Sequence, residues 1–270
     1  RRPDGDVLAR TRVEAYVRGP VITIPAAMRI GSILSVLERH EISAAPVVAT
    51  DGAAVGVVSR SDLLRAASAG YQSAALRGYD FDAAITAAAA LMHRGVITVP
   101  RGASIAEAAR SMAKHRVHRA FVADERGRPV GVLGTREIMR AIADAGLTSR
   151  IDSLTSRRPY TVPCEMSVAL AVGRLTTVKA QGLVVVDADA WPAGLFTQRE
   201  ALLARNLPAD AAVDDAMSSA ILFMSADTPV HRAAARAAEL LARRVLVVDK
   251  AKLAGMVSPL DFARFAARGE

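Results

Sequence analysis

A hydroxyl-bearing residue and an acid recur together along this chain of 270 residues. Each acid lies six residues after a glycine, and the residue three after the glycine is Ser59, Gly134, Thr197 or Ser258. The motif glycines are Gly56, Gly131, Gly194 and Gly255, and the motif acids are Asp62, Glu137, Glu200 and Asp261. An apolar helical pattern follows the first acid, so the motif starts a helix. Backbone N–H groups and the helix dipole favour an anion such as phosphate there.

The same spacing also has a purely structural interpretation. Ser/Thr-x-x-Glu is a capping box, in which hydroxyl and acid satisfy each other's backbone N–H groups, and Thr197 with Glu200 matches it fully. The first and fourth copies carry Asp62 and Asp261 instead. Because a capping box prefers Glu or Gln, the shorter acids favour a binding role. The second copy departs furthest, with Gly134 in place of the hydroxyl.

The elements around each motif repeat in one register. A short β-branched run, such as 21–25, precedes a stripe of apolar residues at helical spacing and then a hairpin that ends in the motif. The offset to the first apolar residue of the helix is seven from each of four reference positions, Thr23, Thr98, Thr161 and Phe223. Such periodicity is typical of internal repeats. The sequence therefore predicts an α+β fold of four β-α-β-β-α units.

The units are too small to stand alone. About 60 residues cannot bury both a sheet face and a helix stripe, so the repeats should pair. We expect one pair over 1–146, with repeats at about 13–68 and 84–146. We expect the other over 147–270, with repeats at about 150–207 and 211–268. Helical stripes that remain exposed predict closure into a flat, disc-like, pseudo-symmetric arrangement.

Composition bounds the class of protein. The chain is 51% apolar and 23% charged, which argues against disorder. Its net charge of +8 favours anionic partners, but the arginines are spread and aromatic residues make up only 4%, so nucleic acid is disfavoured. The single cysteine, Cys164, cannot form an internal disulfide, which fits a cytoplasmic location. The uncharged stretch 83–90 is too short to span a membrane.

The four copies in one register resemble the cystathionine β-synthase (CBS) domain family, whose signature is Gly-hydrophobic-hydrophobic-Ser/Thr-x-x-Asp. The resemblance extends from about Val13 to Ala266. In that family two repeats pair as a Bateman module, and many modules bind adenosine-containing ligands in clefts between repeats. The layout is similar to the γ subunit of AMP-activated protein kinase. The resemblance implies a regulatory sensor and not a catalyst.

The resemblance also implies roles for residues of repeat 1. The acid Asp62 accepts both hydroxyls of a ribose, while Ser59 at the helix start and the adjacent Arg60 meet phosphate. The base would be lined by four strand residues, Ile22, Thr23, Ala45 and Pro46.

Repeat 4 has the same arrangement. Asp261 and Ser258 take the places of acid and hydroxyl, with Phe223 and Arg244 near the base. Repeat 3 offers a weaker third site with Thr161, Thr197 and Glu200.

The sequence thus predicts a sensor of AMP, ADP or ATP that transmits a conformational change to a partner. S-adenosylmethionine would satisfy the same residues. The partner would be a second copy, an effector protein or a missing N-terminal domain, because the chain begins with Arg1. The alternatives are a ligand-free structural or oligomerisation module and, on charge alone, a nucleic-acid binder. No metal-ligand spacing, nucleophile–base pair or phosphate loop is present, so no enzyme is predicted.

Overall fold

The computed structural model describes residues 5–69, 87–155, 159–178, 182–250 and 252–268. Over these residues the chain forms four small sheets, one for each β-α-β-β-α unit, which confirms the predicted α+β fold; the first sheet gains a short fourth strand at 93–94. The sequence between the first two predicted repeats, 69–83, lies almost wholly outside the described residues. No helix in the described ranges has the length and apolar character needed to cross a membrane.

The elements follow the predicted order in every repeat. The chain opens with α1 (Gly5–Arg10) and a 3₁₀ helix (Val13–Ala15). Repeat 1 contains β1 (Ile24–Pro25), α2 (Ile30–Arg39), β2 (Ala44–Val48), β3 (Ala54–Ser59) and α3 (Arg60–Ala69), and is followed by α4 (Ala88–Leu91) and β4 (His93–Arg94). Repeat 2 contains β5 (Thr98–Pro100), α5 (Ile105–His115), β6 (Arg119–Ala123), β7 (Pro129–Gly134) and α6 (Thr135–Asp144).

The second half has the same order. Repeat 3 follows a 3₁₀ helix (Ile151–Leu154) and contains β8 (Thr161–Pro163), α7 (Val168–Thr177), β9 (Gly182–Val186), β10 (Pro192–Thr197) and α8 (Gln198–Leu203). Two 3₁₀ helices (Ala204–Asn206 and Val213–Asp215) lead to repeat 4, which contains β11 (Leu222–Ser225), α9 (Val230–Glu239), β12 (Val245–Asp249), β13 (Lys252–Val257) and α10 (Pro259–Arg268).

Each sheet has a parallel first pair and an antiparallel hairpin. In repeat 2, Thr98 of β5 pairs with Phe121 of β6, which pairs in turn with Val132 of β7. Parallel neighbours need a long crossover, and α5 supplies it. The first strand is short in every repeat; the run 21–25 forms a strand only at Ile24–Pro25, which pairs with Val47 and Val48.

The amphipathic pattern of the sequence becomes the buried face of each first helix. On α5, Ile105, Ala108 and Met112 are fully buried. The helix begins at a capping box between Ser104 and Glu107, and it ends at Arg116 in the left-handed conformation (φ 54°). The capping box therefore determines where α5 begins, and the apolar stripe determines which face of α5 is buried.

The chain divides into two compact units, each combining repeats that are distant in sequence. Unit 1 comprises 1–21, 96–158 and 222–270, and unit 2 comprises 22–95 and 159–221. In unit 1, α5 packs against α10 and α6 against α9, so that repeats 2 and 4 share one hydrophobic core. In unit 2, repeats 1 and 3 each enclose a core of their own.

A short segment before each repeat, which we call its lead-in, docks on a different repeat of its unit. The lead-ins are 11–18, 87–94, 149–155 and 211–218. Their backbone hydrogen bonds are Val13 N to Ala103 O (2.9 Å), Ala88 N to Met28 O (2.8 Å), Val230 N to Ser149 O (2.7 Å) and Val168 N to Ala211 O (2.8 Å). The lead-in of repeat 1 therefore lies on repeat 2 and that of repeat 2 on repeat 1. Repeats 3 and 4 exchange lead-ins in the same way.

Each lead-in places one side chain directly against a motif glycine, and we call this place a glycine slot. A Cβ on Gly131 would lie 2.1 Å from Cγ1 of Val17, and one on Gly194 would lie 2.1 Å from Sδ of Met217. The corresponding contacts are Gly56 with Met92 Sδ (2.5 Å) and Gly255 with Thr155 Cβ (3.0 Å). Glycine is needed because the lead-in side chain occupies the space of a Cβ.

Tyr16 joins the first lead-in to the end of α6. Its hydroxyl donates to Asp144 Oδ2 at 2.7 Å, and burial followed by this bond raises the pKa of Tyr16 to about 12. Since the folded pKa lies above the usual tyrosine value of 10.0, the contact stabilises the protein fully below pH 10. We expect that stability to be lost as the pH rises through about 12. Denaturant titrations across this range should show a smaller alkaline loss for Tyr16→Phe; identical losses would contradict the assignment.

Candidate functional site

Every motif acid lies in the first turn of a helix and uses one carboxylate oxygen to cap the start of that helix. All four acids are buried. The capping bonds are Ser59 N to Asp62 Oδ2 (2.7 Å), Gly134 N to Glu137 Oε2 (2.9 Å), Thr197 N to Glu200 Oε2 (3.1 Å) and Ser258 N to Asp261 Oδ2 (2.8 Å). Aspartate makes the reciprocal bond as closely as glutamate does. The length of the acid therefore does not separate capping from binding.

The second oxygen of three of these acids faces a cation. Arg18 Nε lies 2.8 Å from Glu137 Oε1, and Arg264 Nη1 lies 2.6 Å from Asp261 Oδ1. Asp62 Oδ1 is paired with Arg65. In these three acids capping thus occupies one side of the carboxylate, and the other side is directed to positive charge. An acid placed in this way can also accept hydrogen bonds from a ligand.

Repeat 4 places a buried cation beside its motif acid. Arg244 precedes β12, and only 7% of its surface is exposed. Its Nη1 donates to the carbonyl of Arg243 at 2.6 Å, but its buried Nε has no hydrogen-bond partner among the described residues. Burial lowers the pKa of Arg244 to about 10, while the charge of Asp261 acts in the opposite direction. An unsatisfied buried guanidinium is costly, and an anion would satisfy it.

The other residues predicted for repeat 4 lie in β11 and at the start of α10. The Ser258 hydroxyl donates to the capping oxygen of Asp261 at 2.6 Å. Phe223 lies in β11, paired with Leu246 of β12, and is 37% exposed. Arg264 approaches Asp261 from the next turn of α10.

Repeat 1 brings together only part of its predicted set. Ser59 ends β3 and donates its hydroxyl to Asp62 at 2.5 Å. Arg60 Nη2 donates to the carbonyl of Leu37 at 3.4 Å, close to the end of α2. Among the base-lining residues, Ala45 and Pro46 are buried in β2, Ile22 is half-buried and Thr23 is exposed.

Repeat 3 separates its predicted residues. Thr161 lines a cavity of about 380 Å³ between β8 and α7. The described lining of that cavity is Tyr160, Thr161, Ala169, Leu170, Gly173, Arg174, Thr177, Val178 and Leu183. It does not include Thr197 and Glu200, whose mutual bonds close a complete capping box.

Sequence reasoning missed two sets of residues that the structure brings to the motifs. One set comprises the lead-in residues that fill the glycine slots, Val17, Met92, Thr155 and Met217. Each lies six residues before its reference position, so the same register contained the signal. The other set comprises Arg65 and Arg264, three residues after their acids, a spacing at which helical side chains meet.

Comparisons with known proteins agree with this architecture. The CBS domain model matches residues 13–69, 88–144 and 213–268. Protein MJ1225 from Methanocaldococcus jannaschii, proposed as an archaeal homolog of g-AMPK, is similar with a TM-score of 0.80 and 16% identity, over 94% of this chain and 99% of that one. An uncharacterized conserved protein from Pyrococcus horikoshii has a TM-score of 0.69 and 19% identity, over 95% and 100%.

At these identities the two solved structures support the fold alone. The family model covers more than half of the chain, and repeat 3, which it does not match, has the same elements as the others. The chain belongs to the CBS domain family.

Proposed function

We propose that this chain is a regulatory module that binds adenine nucleotides, AMP, ADP or ATP, at repeats 1 and 4. The observation that carries the proposal is the buried Arg244, on which the charge of the buried Asp261 acts. A buried carboxylate accepts from a ribose diol, and a buried guanidinium whose Nε has no partner among the described residues donates to phosphate. The start of α10, at Ser258, adds backbone N–H groups that favour the same anion.

Regulation, and not catalysis, is what CBS domain proteins typically perform. We propose that the nucleotide shifts the population of two arrangements of the repeats, and that a second copy or an effector protein in the cytoplasm responds. S-adenosylmethionine is a second ligand for the same acids, because it carries the ribose without the phosphate.

We also propose that repeats 1 and 2 form one module, over 1–146, and repeats 3 and 4 another, over 147–270. The exchanged lead-ins support this pairing. Val13 bonds to Ala103 of repeat 2, and Ala88 bonds to Met28 of repeat 1. In such a pair the lead-in of each repeat docks on the other repeat, so the pair contains both lead-ins that it needs. A single repeat would lack the lead-in that docks on it.

Replacing Asp62 or Asp261 by alanine tests the function. A hydrogen bond to a charged group contributes about 1.5–3 kcal/mol, so each change should weaken binding at its site by roughly 10- to 100-fold. Calorimetry with AMP, ADP, ATP and S-adenosylmethionine measures this loss. Glu107→Ala is the matched control, since Glu107 completes the capping box of Ser104 on α5 and is not a motif acid.

The rival is a ligand-free structural module, and one observation favours it. The acids cap their helices, and three of them also hold ion pairs, so each has a complete structural role. Under this rival, Asp261→Ala would lower the free energy of unfolding by about 1 kcal/mol, as Glu107→Ala does, and leave nucleotide affinity unchanged. A nucleic-acid binder would instead lose affinity steeply with salt.

A further inference from the structure

Asp62 is the motif acid that the lead-in residue His93 and the helical residue Arg65 cover together. Arg65 pairs with its Oδ1 from the next turn of α3. His93 of β4 places Nε2 at 2.9 Å from the same oxygen and 2.7 Å from Nη2 of Arg65. The Asp62 side chain is only 2% exposed, whereas those of Arg65 and His93 are 57% and 69% exposed. The two side chains therefore lie between the acid and solvent.

When His93 Nε2 carries a proton, the carboxylate has no acceptor site left over in this arrangement. A carboxylate offers about four lone-pair sites. Oδ2 accepts from the backbone N–H and the hydroxyl of Ser59. Oδ1 faces Arg65 and His93. A diol needs two of these sites, and the capping bonds are internal to the start of α3. Only the partners of Oδ1 can leave without opening the helix.

We propose that His93 and Arg65 form a displaceable cover over Asp62, so that lead-in 87–94 and the diol of a ligand compete for the same carboxylate oxygen. This regulation rests on the proposed nucleotide site at repeat 1. The cover is weakly held, since exposed ion pairs contribute little. Its strand β4 is two residues long, at the edge of its sheet, paired with Gly56 and Val57.

The consequence is a link from the ligand to the next repeat. His93 lies five residues before Thr98, the first residue of β5 in repeat 2. Displacing His93 releases the segment that enters that repeat. Arg18 is at the equivalent place on Glu137 of repeat 2, where it holds the acid with a guanidinium at 2.8 Å.

The test uses the full chain with Asp261→Ala, so that only repeat 1 presents an Asp at the acid position. His93→Ala and Arg65→Ala are titrated with adenosine and with AMP. Removing the cover should strengthen the binding of both ligands alike, by roughly 3- to 10-fold. His93→Arg copies Arg18 and should weaken both. Arg94→Ala, which removes an exposed charge from the same strand, should change neither.

Hydrogen exchange gives a second readout. AMP should speed the exchange of amides in 87–94 of the protein that keeps His93 and Arg65. If His93→Ala weakens AMP but not adenosine, the two side chains bind phosphate and the cover is wrong. Unchanged affinities, or slower exchange in 87–94, would overturn it as well. If adding Asp62→Ala leaves binding as it was, the nucleotide site itself is wrong. That outcome is distinct, because the three cover variants do not alter Asp62.

Discussion

Replacing Arg244 by methionine is expected to stabilise the ligand-free protein and to weaken its binding of nucleotides. The guanidinium is buried, and its Nε lacks a hydrogen bond among the described residues. Removing a buried donor that lacks a hydrogen bond should recover roughly 1–3 kcal/mol, and Asp261 keeps its ion pair with Arg264. Losing a charge-assisted bond to phosphate should cost roughly 10- to 100-fold in affinity. Thermal unfolding and calorimetry on the same samples measure both effects.

The informative outcome is a rise in the stability of the ligand-free protein together with a fall in its affinity for nucleotides. Arg119→Met is the matched control, because Arg119 opens β6 at the equivalent place in repeat 2 but is only half-buried. It should show neither the gain in stability nor the loss of affinity. If Arg244→Met destabilised the protein and left affinity unchanged, the guanidinium would have a structural role and the phosphate assignment would fail.

Gly131→Ala should destabilise the protein by about 1–3 kcal/mol, because the new Cβ would meet Val17 at 2.1 Å. A branched side chain cannot move aside as methionine can, so lead-in 11–18 must shift. Denaturant unfolding measures the loss. Gly173→Ala on α7 is the control: a Cβ there has no neighbour within 4 Å, and the change should stabilise by about 0.5–1 kcal/mol.

A compensating change tests whether the slot is the cause. Val17→Ala removes the Cγ1 atom that clashes, while the Cβ of residue 17 lies 3.5 Å from the new methyl group. The double variant should therefore recover part of the stability that Gly131→Ala loses. Strictly additive effects in this double-mutant cycle would show that the two positions do not interact.

The fold could be predicted from the sequence because the same weak pattern of apolar residues and turns occurs four times in one register. One apolar stripe such as that of α5 predicts a helix modestly, but four stripes at one offset exclude chance. The buried Ile105, Ala108 and Met112 are the stripe itself. Strand ends were less certain, and of the run 21–25 only Ile24–Pro25 pairs with the neighbouring strand.

The site was only partly predictable, because its contacts join distant positions. The motif alone does not reveal that Arg18 reaches Glu137, 119 residues later, or that Met92 fills the space above Gly56. The preference of capping boxes for glutamate was also a poor guide, since Asp62 and Asp261 cap at 2.7 and 2.8 Å. Local propensity predicts contacts between residues that are close in the sequence. It does not predict that a lead-in docks on another repeat.

The exchanged lead-ins also bear on how such chains are inherited. A gene fragment encoding one repeat would leave a glycine slot such as that of Gly56 empty, and it would leave a side chain such as Val17 with nothing to cover. The smallest heritable piece with every slot filled from within is a pair. Lineages of this architecture should therefore gain and lose repeats two at a time, with duplication breakpoints between 144 and 149 and not inside a pair.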